Sequence, residues 1–289
     1  MTVRSVEKIV QSVRVEVAPN FRVRRPLPLN DIQMIDPFLL LDHFGPQTIQ
    51  PNEGGGVPEH PHRGFIAITY LLDGYIEHKD SIGNSVLIGP GDLDWMVTGA
   101  GLVHSELFDA NFKQRGGIMH GFQIWLNLPR AHKLTAPSLS PVTAQDIPVV
   151  RTREGAAVKI LAGEFEGKRS SVKTFSPVLL YHVQLPPGSN VDIPIPASFN
   201  AFAYGMAGSA TIGTEQQTLS LGELALFRND GDAVSVRAPQ NESADILLVG
   251  GEPLNEPVAT YGPFVMNTDG EIRQTILDYQ SGKFGSITV

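Results

Sequence analysis

Two short segments of this sequence carry residues whose types and spacing suit chemistry. Pro58-Glu59-His60-Pro61-His62 sets two imidazoles two residues apart, and His104-Ser105-Glu106 sets an imidazole and a carboxylate at the same spacing. In extended chain, residues i and i+2 project from one face. If the two segments come together, His60, His62, His104 and Glu106 converge on one point, each able to reach a borderline or first-row metal ion at about 2.0–2.2 Å. Four protein donors on an ion that favours six leave two positions for a chelating oxygen and for water or dioxygen. Each pair alone is ambiguous, since a His-x-His arises by chance and a single strand histidine is more often hydrogen-bonded than ligating. Their joint placement beside Gly-rich turns favours the metal, because a buried Glu106 between Ser105 and Leu107 needs a cation to offset its desolvation.

The elements that must position these residues read as short strands. Phe65–Leu72, FIAITYLL, is rich in aromatic and β-branched residues and closes on Asp73-Gly74, which predicts a buried strand ending in a turn. Strands at Tyr75–His78, Ser85–Ile88, Leu93–Val97 and Leu102–Leu107 follow, separated by SIGN, GPGD and TGAG turns. Close, even spacing of this kind predicts a sandwich or barrel. Leu134–Pro148, with three prolines, reads as a surface linker and marks a domain boundary. Strand-like segments resume in VLLYHVQL, NAFAYGMAG, ELALFRN and ADILLVG. Near the end, Thr268 to Glu271 has capping-box spacing, Ile272, Ile276 and Tyr279 mark a helical face, and Gly282 is placed to end the helix.

Composition narrows the classes. The 289 residues suffice for two domains, and 29 glycines and 22 prolines without a period suit many turns between strands. A net charge of -8, with no run of five basic residues, argues against direct nucleic-acid binding. The absence of cysteine removes disulfides, thiolate metal sites and a Cys nucleophile, so any metal sits on nitrogen and oxygen. The N-terminus has no apolar core of signal-peptide length and no stretch approaches a membrane span, which predicts a soluble, cytoplasmic protein. Gly163 to Lys168 falls one residue short of a phosphate loop and reads as a turn.

PEHPHRGF, YLLDG, GPGDLDWMVTGAGLVHSE, HGFQIWLNLP and the C-terminal YGPFVMNTDGEIRQTILDYQSGKFG together resemble the pirin family of the cupin superfamily. The resemblance implies an all-β bicupin: two cupin (double-stranded β-helix, jelly-roll) barrels packed together, with a short C-terminal helix. It places a metal-binding barrel in residues 1–135, a degenerate barrel in 136–265 and a helical segment in 266–289. It further implies one divalent metal ion per chain on His60, His62, His104 and Glu106, with Fe(II) first and Zn, Cu, Ni, Mn or Co as alternatives. Many cupins supply their carboxylate a few residues after His-x-His, whereas Gly64-Phe65-Ile66-Ala67 has no acid and leaves that role to Glu106.

Two activities follow from the resemblance. One is a dioxygenase that cleaves flavonols, of the quercetin 2,3-dioxygenase type, acting on a small aromatic substrate with Glu106 as base. The other is a metal- and redox-dependent regulatory protein that binds a transcription factor or a metabolic enzyme as its protein partner. Phe65, Trp95, Met96 and Gln123 are candidates for the pocket wall on motif position. His43, His78, His120, His132 and His182 lack a partner at ligand spacing and read as structural or exposed, with His120 the best placed to support a ligand. Aligned as a degenerate repeat, the second half sets Pro194, Pro196, Ser235 and Arg237 at the four ligand positions, so that barrel is expected to be structural or a docking surface.

Overall fold

The structure is a computed structural model and describes residues 1–18, 21–29 and 31–288. In chain order the elements are β1 (Val6–Gln11), β2 (Val13–Ala18), β3 (Phe21–Leu27), β4 (Phe38–Ile49), β5 (Gly56–His62), β6 (Phe65–Asp73), β7 (Ile76–Asp80), β8 (Ser85–Ile88), β9 (Leu93–Val97), β10 (Leu102–Phe108), helix α1 (Ala110–Arg115), β11 (Gly117–Asn127) and β12 (Ser138–Val142). There follow β13 (Val149–Arg151), β14 (Ala157–Ala162), β15 (Glu164–Phe165), β16 (Lys168–Arg169), β17 (Val178–Leu185), β18 (Asn190–Pro194), β19 (Asn200–Ala207), β20 (Ser209–Ile212), β21 (Gln217–Ser220), β22 (Glu223–Phe227), β23 (Ala233–Arg237), β24 (Ala244–Gly251), β25 (Ala259–Tyr261), β26 (Phe264–Met266) and helix α2 (Asp269–Gln280).

The protein is all-β, built as two cupin barrels, each a seven-stranded sheet paired with a four-stranded one. The first joins β12-β9-β6-β11-β4-β3-β2 with β5-β10-β7-β8, and the second joins β1-β22-β19-β24-β17-β14-β13 with β18-β23-β20-β21. The chain divides into two units that are not contiguous in sequence. One comprises Met1–Val13, Leu29–Pro37 and Gln145–Pro253, and the other Arg14–Pro28, Phe38–Ala144 and Leu254–Val289. This differs from the contiguous division at 135/136 and from a separate 266–289 segment. The physical reason is strand pairing: β1 lies antiparallel to β22, with Ile9 opposite Ala225, so the N-terminal strand completes the second barrel. The expected linker also yields a strand, because β12 pairs along β9 with Leu139 opposite Met96.

The two interiors differ. In the second barrel Val158, Ile160, Val191, Ile193, Ile195, Val234, Val236, Ile246 and Leu248 merge into one apolar core. Pro194, Pro196, Ser235 and Arg237 are not the inward positions; the buried neighbours Ile193, Ile195, Val234 and Val236 are, one residue away from the sequence alignment. The first barrel's apolar side chains fall into separate clusters, two of which meet β6. On the inner face of β6, Phe65 and Ala67 belong to one and Leu71 to the other, with Thr69 between them.

The C-terminal segment closes around the turn between β5 and β6. Arg63 donates from Nη1 to Thr275 Oγ1 at 3.2 Å and to Asp278 Oδ2 at 2.9 Å, both on α2, and its guanidinium lies 4.7 Å from the Phe284 ring centre. Lys133 Nζ donates to Gly64 O, Asn127 Oδ1 and Val265 O, three acceptors that match its three protons although burial pushes its pKa down to about 7. The buried face of α2 contains Ile272, Thr275 and Asp278, with Ile276 packed against the Phe264 cluster; Tyr279 is 41% exposed, its ring 6.1 Å from that of Phe264. Thr268 caps α2 as its spacing predicts, accepting from Glu271 N.

Gly64 has φ +89°, and a Cβ there would meet Val265 O at 1.9 Å. Gly64→Ala is therefore expected to destabilise the protein by at least about 2 kcal/mol, the sum of backbone strain and a clash with immovable backbone. Unchanged denaturant unfolding midpoints for this variant would contradict that.

Candidate metal centre

β5 and β10 pair antiparallel with His104 opposite His60 and Leu102 opposite His62. The register then shifts between His104 and Glu106, so that Glu106 faces Val57. This bulge on β5 tightens the local twist and re-aims the strand beside the candidate ligands. The ligand nitrogens of His60, His62 and His104 lie within 4.8 Å of one another.

The ring orientations fit a cation. His60 Nδ1 donates to Pro58 O at 2.7 Å and His62 Nδ1 to Pro263 O at 3.3 Å, which leaves both Nε2 atoms as acceptors. Those Nε2 atoms stand 3.0 Å apart, two lone pairs face to face. His104 is 1% exposed, and neither of its ring nitrogens has a hydrogen-bond partner among the described residues. Burial, followed by the neighbouring imidazoles, pushes His62 and His104 well below the usual imidazole range, so both are neutral and free to ligate at physiological pH. Buried orphan donors with converging lone pairs are what a divalent ion would satisfy, and the all-nitrogen and oxygen set suits a first-row ion.

Glu106 belongs to a second group, within 4.8 Å of His78 and Asp94. Thr69 Oγ1 donates to Glu106 Oε1 at 2.6 Å. Burial raises the Glu106 pKa and Asp94 adds to the rise, whereas the Thr69 hydroxyl and His78 oppose it. His78 lies 3.1 Å from Asp94 Oδ2 and 3.4 Å from Asp80 Oδ2. Burial alone would depress its pKa; the two carboxylates outweigh that and lift it to about 10, which keeps an imidazolium beside Glu106.

A cavity of about 380 Å³ opens onto the site, and His60, His62, Thr69, Glu106, Gln123 and Trp125 line one side of it. Apolar side chains of Phe21, Val23, Leu40, Phe44, Val57 and Ile76 form most of the remainder, with the Arg25–Asp42 ion pair among them.

The family model described as Pirin matches residues 20–126, and the Pirin C-terminal cupin domain matches residues 180–285. A pirin-like protein of Solanum lycopersicum is 41% identical over 263 residues, covering 91% of this chain and 87% of that protein. The chain belongs to the pirin family. A crystal structure of a quercetin 2,3-dioxygenase from Acinetobacter baumannii superposes with a TM-score of 0.92 at 33% identity, covering 99% of this chain and 100% of that one. A bacterial pirin of Escherichia coli, solved in complex with nickel(II), has a TM-score of 0.65 at 19% identity over 87% of this chain and 98% of that one, a likeness of fold.

The pirin motif places the remaining sequence candidates unevenly. Gln123 lines the cavity. Phe65 is fully buried behind it, 5.0 Å from the His62 ring and 4.3 Å from Trp125. Met96 packs in the same apolar cluster as Phe65 and does not reach the cavity. Trp95 does not belong to the pocket wall: it pairs with Ile68, and strand alternation turns both to the face of the sheet opposite Thr69. His120 Nε2 lies 2.8 Å from that of His43. Trp125, Thr69, Asp42 and Arg25 were not singled out in sequence. Trp125 is legible in retrospect from its i+2 spacing to Gln123 on β11.

His104→Ala is expected to abolish tight metal binding, and Glu106→Gln and Thr69→Val to weaken it by at least about tenfold, the effect of losing even a hydrogen-bond partner of a ligand. Competition titration against a chelator checks this; wild-type affinity in the Thr69 and Glu106 variants would separate that pair from the metal.

Proposed function

We propose that this member of the pirin family is a metal-dependent dioxygenase of the quercetin 2,3-dioxygenase type. Its substrates would be flavonols, its metal one divalent ion per chain on His60, His62, His104 and Glu106, and Fe(II) the ion in the cell. The observation that carries the reading is the cavity: its volume is in the range of small-molecule sites, its wall is mostly apolar, and three of the four donors line it. A relative structure bearing the name quercetin 2,3-dioxygenase supports the same chemistry.

When bound, the ion supplies Lewis acidity toward a substrate hydroxyl and a redox partner for dioxygen. The chain supplies the rest. Glu106, whose carboxyl is raised by burial, is suited to take the proton of that hydroxyl. Thr69 holds the receiving carboxylate through Oε1, and the His78 imidazolium balances its charge. Trp125 and the apolar wall pack against the flat rings and exclude water from the reacting oxygen.

Iron-, copper- or nickel-loaded protein is expected to consume dioxygen when quercetin is added, and the metal-free protein is not. His62→Ala should lose uptake along with the metal. Pro196→His, an exposed position in the second barrel, should keep it. Flavonol binding without dioxygen uptake under all three metals would contradict the enzyme reading and leave a metal-dependent binding role.

A further inference from the structure

The seven-stranded sheet of the first barrel carries an unbroken row of polar side chains across five strands. Gln123 on β11 lies opposite Asp42 on β4 and opposite Thr69 on β6, and Thr69 lies opposite Asp94 on β9. Arg25 on β3 extends the row, holding Asp42 in a bidentate pair from Nε at 2.6 Å and Nη2 at 2.5 Å. Residues above and below it on the same face are apolar, as with Leu40 and Phe44 on either side of Asp42. Thr69 links the row to Glu106. Two strand spacings, about 9–10 Å, separate Thr69 from Asp42. Both residues line the one cavity, so its two ends differ: metal donors at one, a closed ion pair at the other.

An ion pair in an apolar pocket is a costly feature for stability alone, since apolar residues of similar volume serve as well or better. Its chemistry suits a ligand. Each Asp42 oxygen, though paired, keeps a further acceptor site, and among the described residues Arg25 Nη1 has no acceptor. The pair as a whole is neutral, so it offers an acceptor and a donor together without attracting anions. A hydroxyl, which donates and accepts at once, matches it; a carboxylate does not.

We propose that the Arg25–Asp42 pair, continued by Gln123, is the specificity-determining site for the far end of the substrate and selects an uncharged, phenolic hydroxyl-bearing ring. This rests on the flavonol reading above and narrows it: flavonols hydroxylated on the ring remote from the chelating group are preferred, and those lacking such hydroxyls are poor ligands. Arg25 and Asp42 touch no reacting atom, so their effect falls on binding rather than on turnover.

Binding is measured without dioxygen, on metal-loaded full-length protein, by quenching of tryptophan fluorescence with quercetin and with 3-hydroxyflavone, which keeps the chelating hydroxyl and lacks the others. The wild type is expected to bind quercetin at least about tenfold more tightly, the value of a hydrogen bond to charged groups. The double variant Arg25→Met with Asp42→Leu should bring the ratio close to one by weakening quercetin alone, with metal content unchanged. Should that variant lose metal, Asp42→Asn, which keeps volume, decides on the same ratio. A wild-type ratio near one, or a ratio untouched in a metal-replete variant, overturns the inference. Loss of dioxygen uptake with the ratio intact overturns only the enzyme reading.

Discussion

Three imidazoles cannot converge in an apolar barrel, with a buried carboxylate nearby, without compensation, and much of the first unit is arranged around that constraint. The β5–β10 pairing sets His104 against His60, and the carbonyls of Pro58 and Pro263 accept hydrogen bonds from Nδ1–H of His60 and His62, so that two Nε2 lone pairs face each other. Left without a cation, these groups carry the desolvation penalty that burial imposes on unsatisfied polar atoms. The bulge before Glu106, the Thr69 hydroxyl and the His78 imidazolium bring the carboxylate to the same region in a receptive state. Farther out, Arg63 and Lys133 fasten the turn that follows His62 to the C-terminal segment, which also supplies the Pro263 carbonyl.

The second barrel shows what the same architecture does without that constraint. It repeats the seven-plus-four strand arrangement, and Ile193, Ile195, Val234 and Val236 fill its interior. An apolar core needs no ion to satisfy it.

Local spacing made part of the candidate site legible: His60, His62 and His104 come together, while Glu106 groups with His78 and Asp94. Residues two apart on a strand share a face whatever the tertiary fold, so His60 with His62 and His104 with Glu106 could be read as pairs, and β8 and β9 fall where alternation and Gly-rich turns put them. What depends on which strand becomes whose neighbour was not legible. His78, Asp94 and Glu106 come from β7, β9 and β10, and Arg25 meets Asp42 across β3 and β4, with no sequence spacing to announce either group. Trp95 failed for a subtler reason: its motif is right, but a position one residue from an inward Asp94 or Met96 necessarily faces the other way. The closure of the second barrel by β1 is likewise a long-range pairing that composition does not reveal.

The most direct measurement is the location and number of metal ions in crystals, from anomalous scattering collected at the absorption edge of the ion that co-purifies. The account predicts one peak per chain, bonded to His60, His62 and His104, with the Glu106 carboxylate turned onto it and none inside the second barrel. A peak held by other residues, a second ion of equal occupancy within the Ile193–Val234 core, or an ion on the three imidazoles with no Glu106 oxygen bonded to it would contradict it.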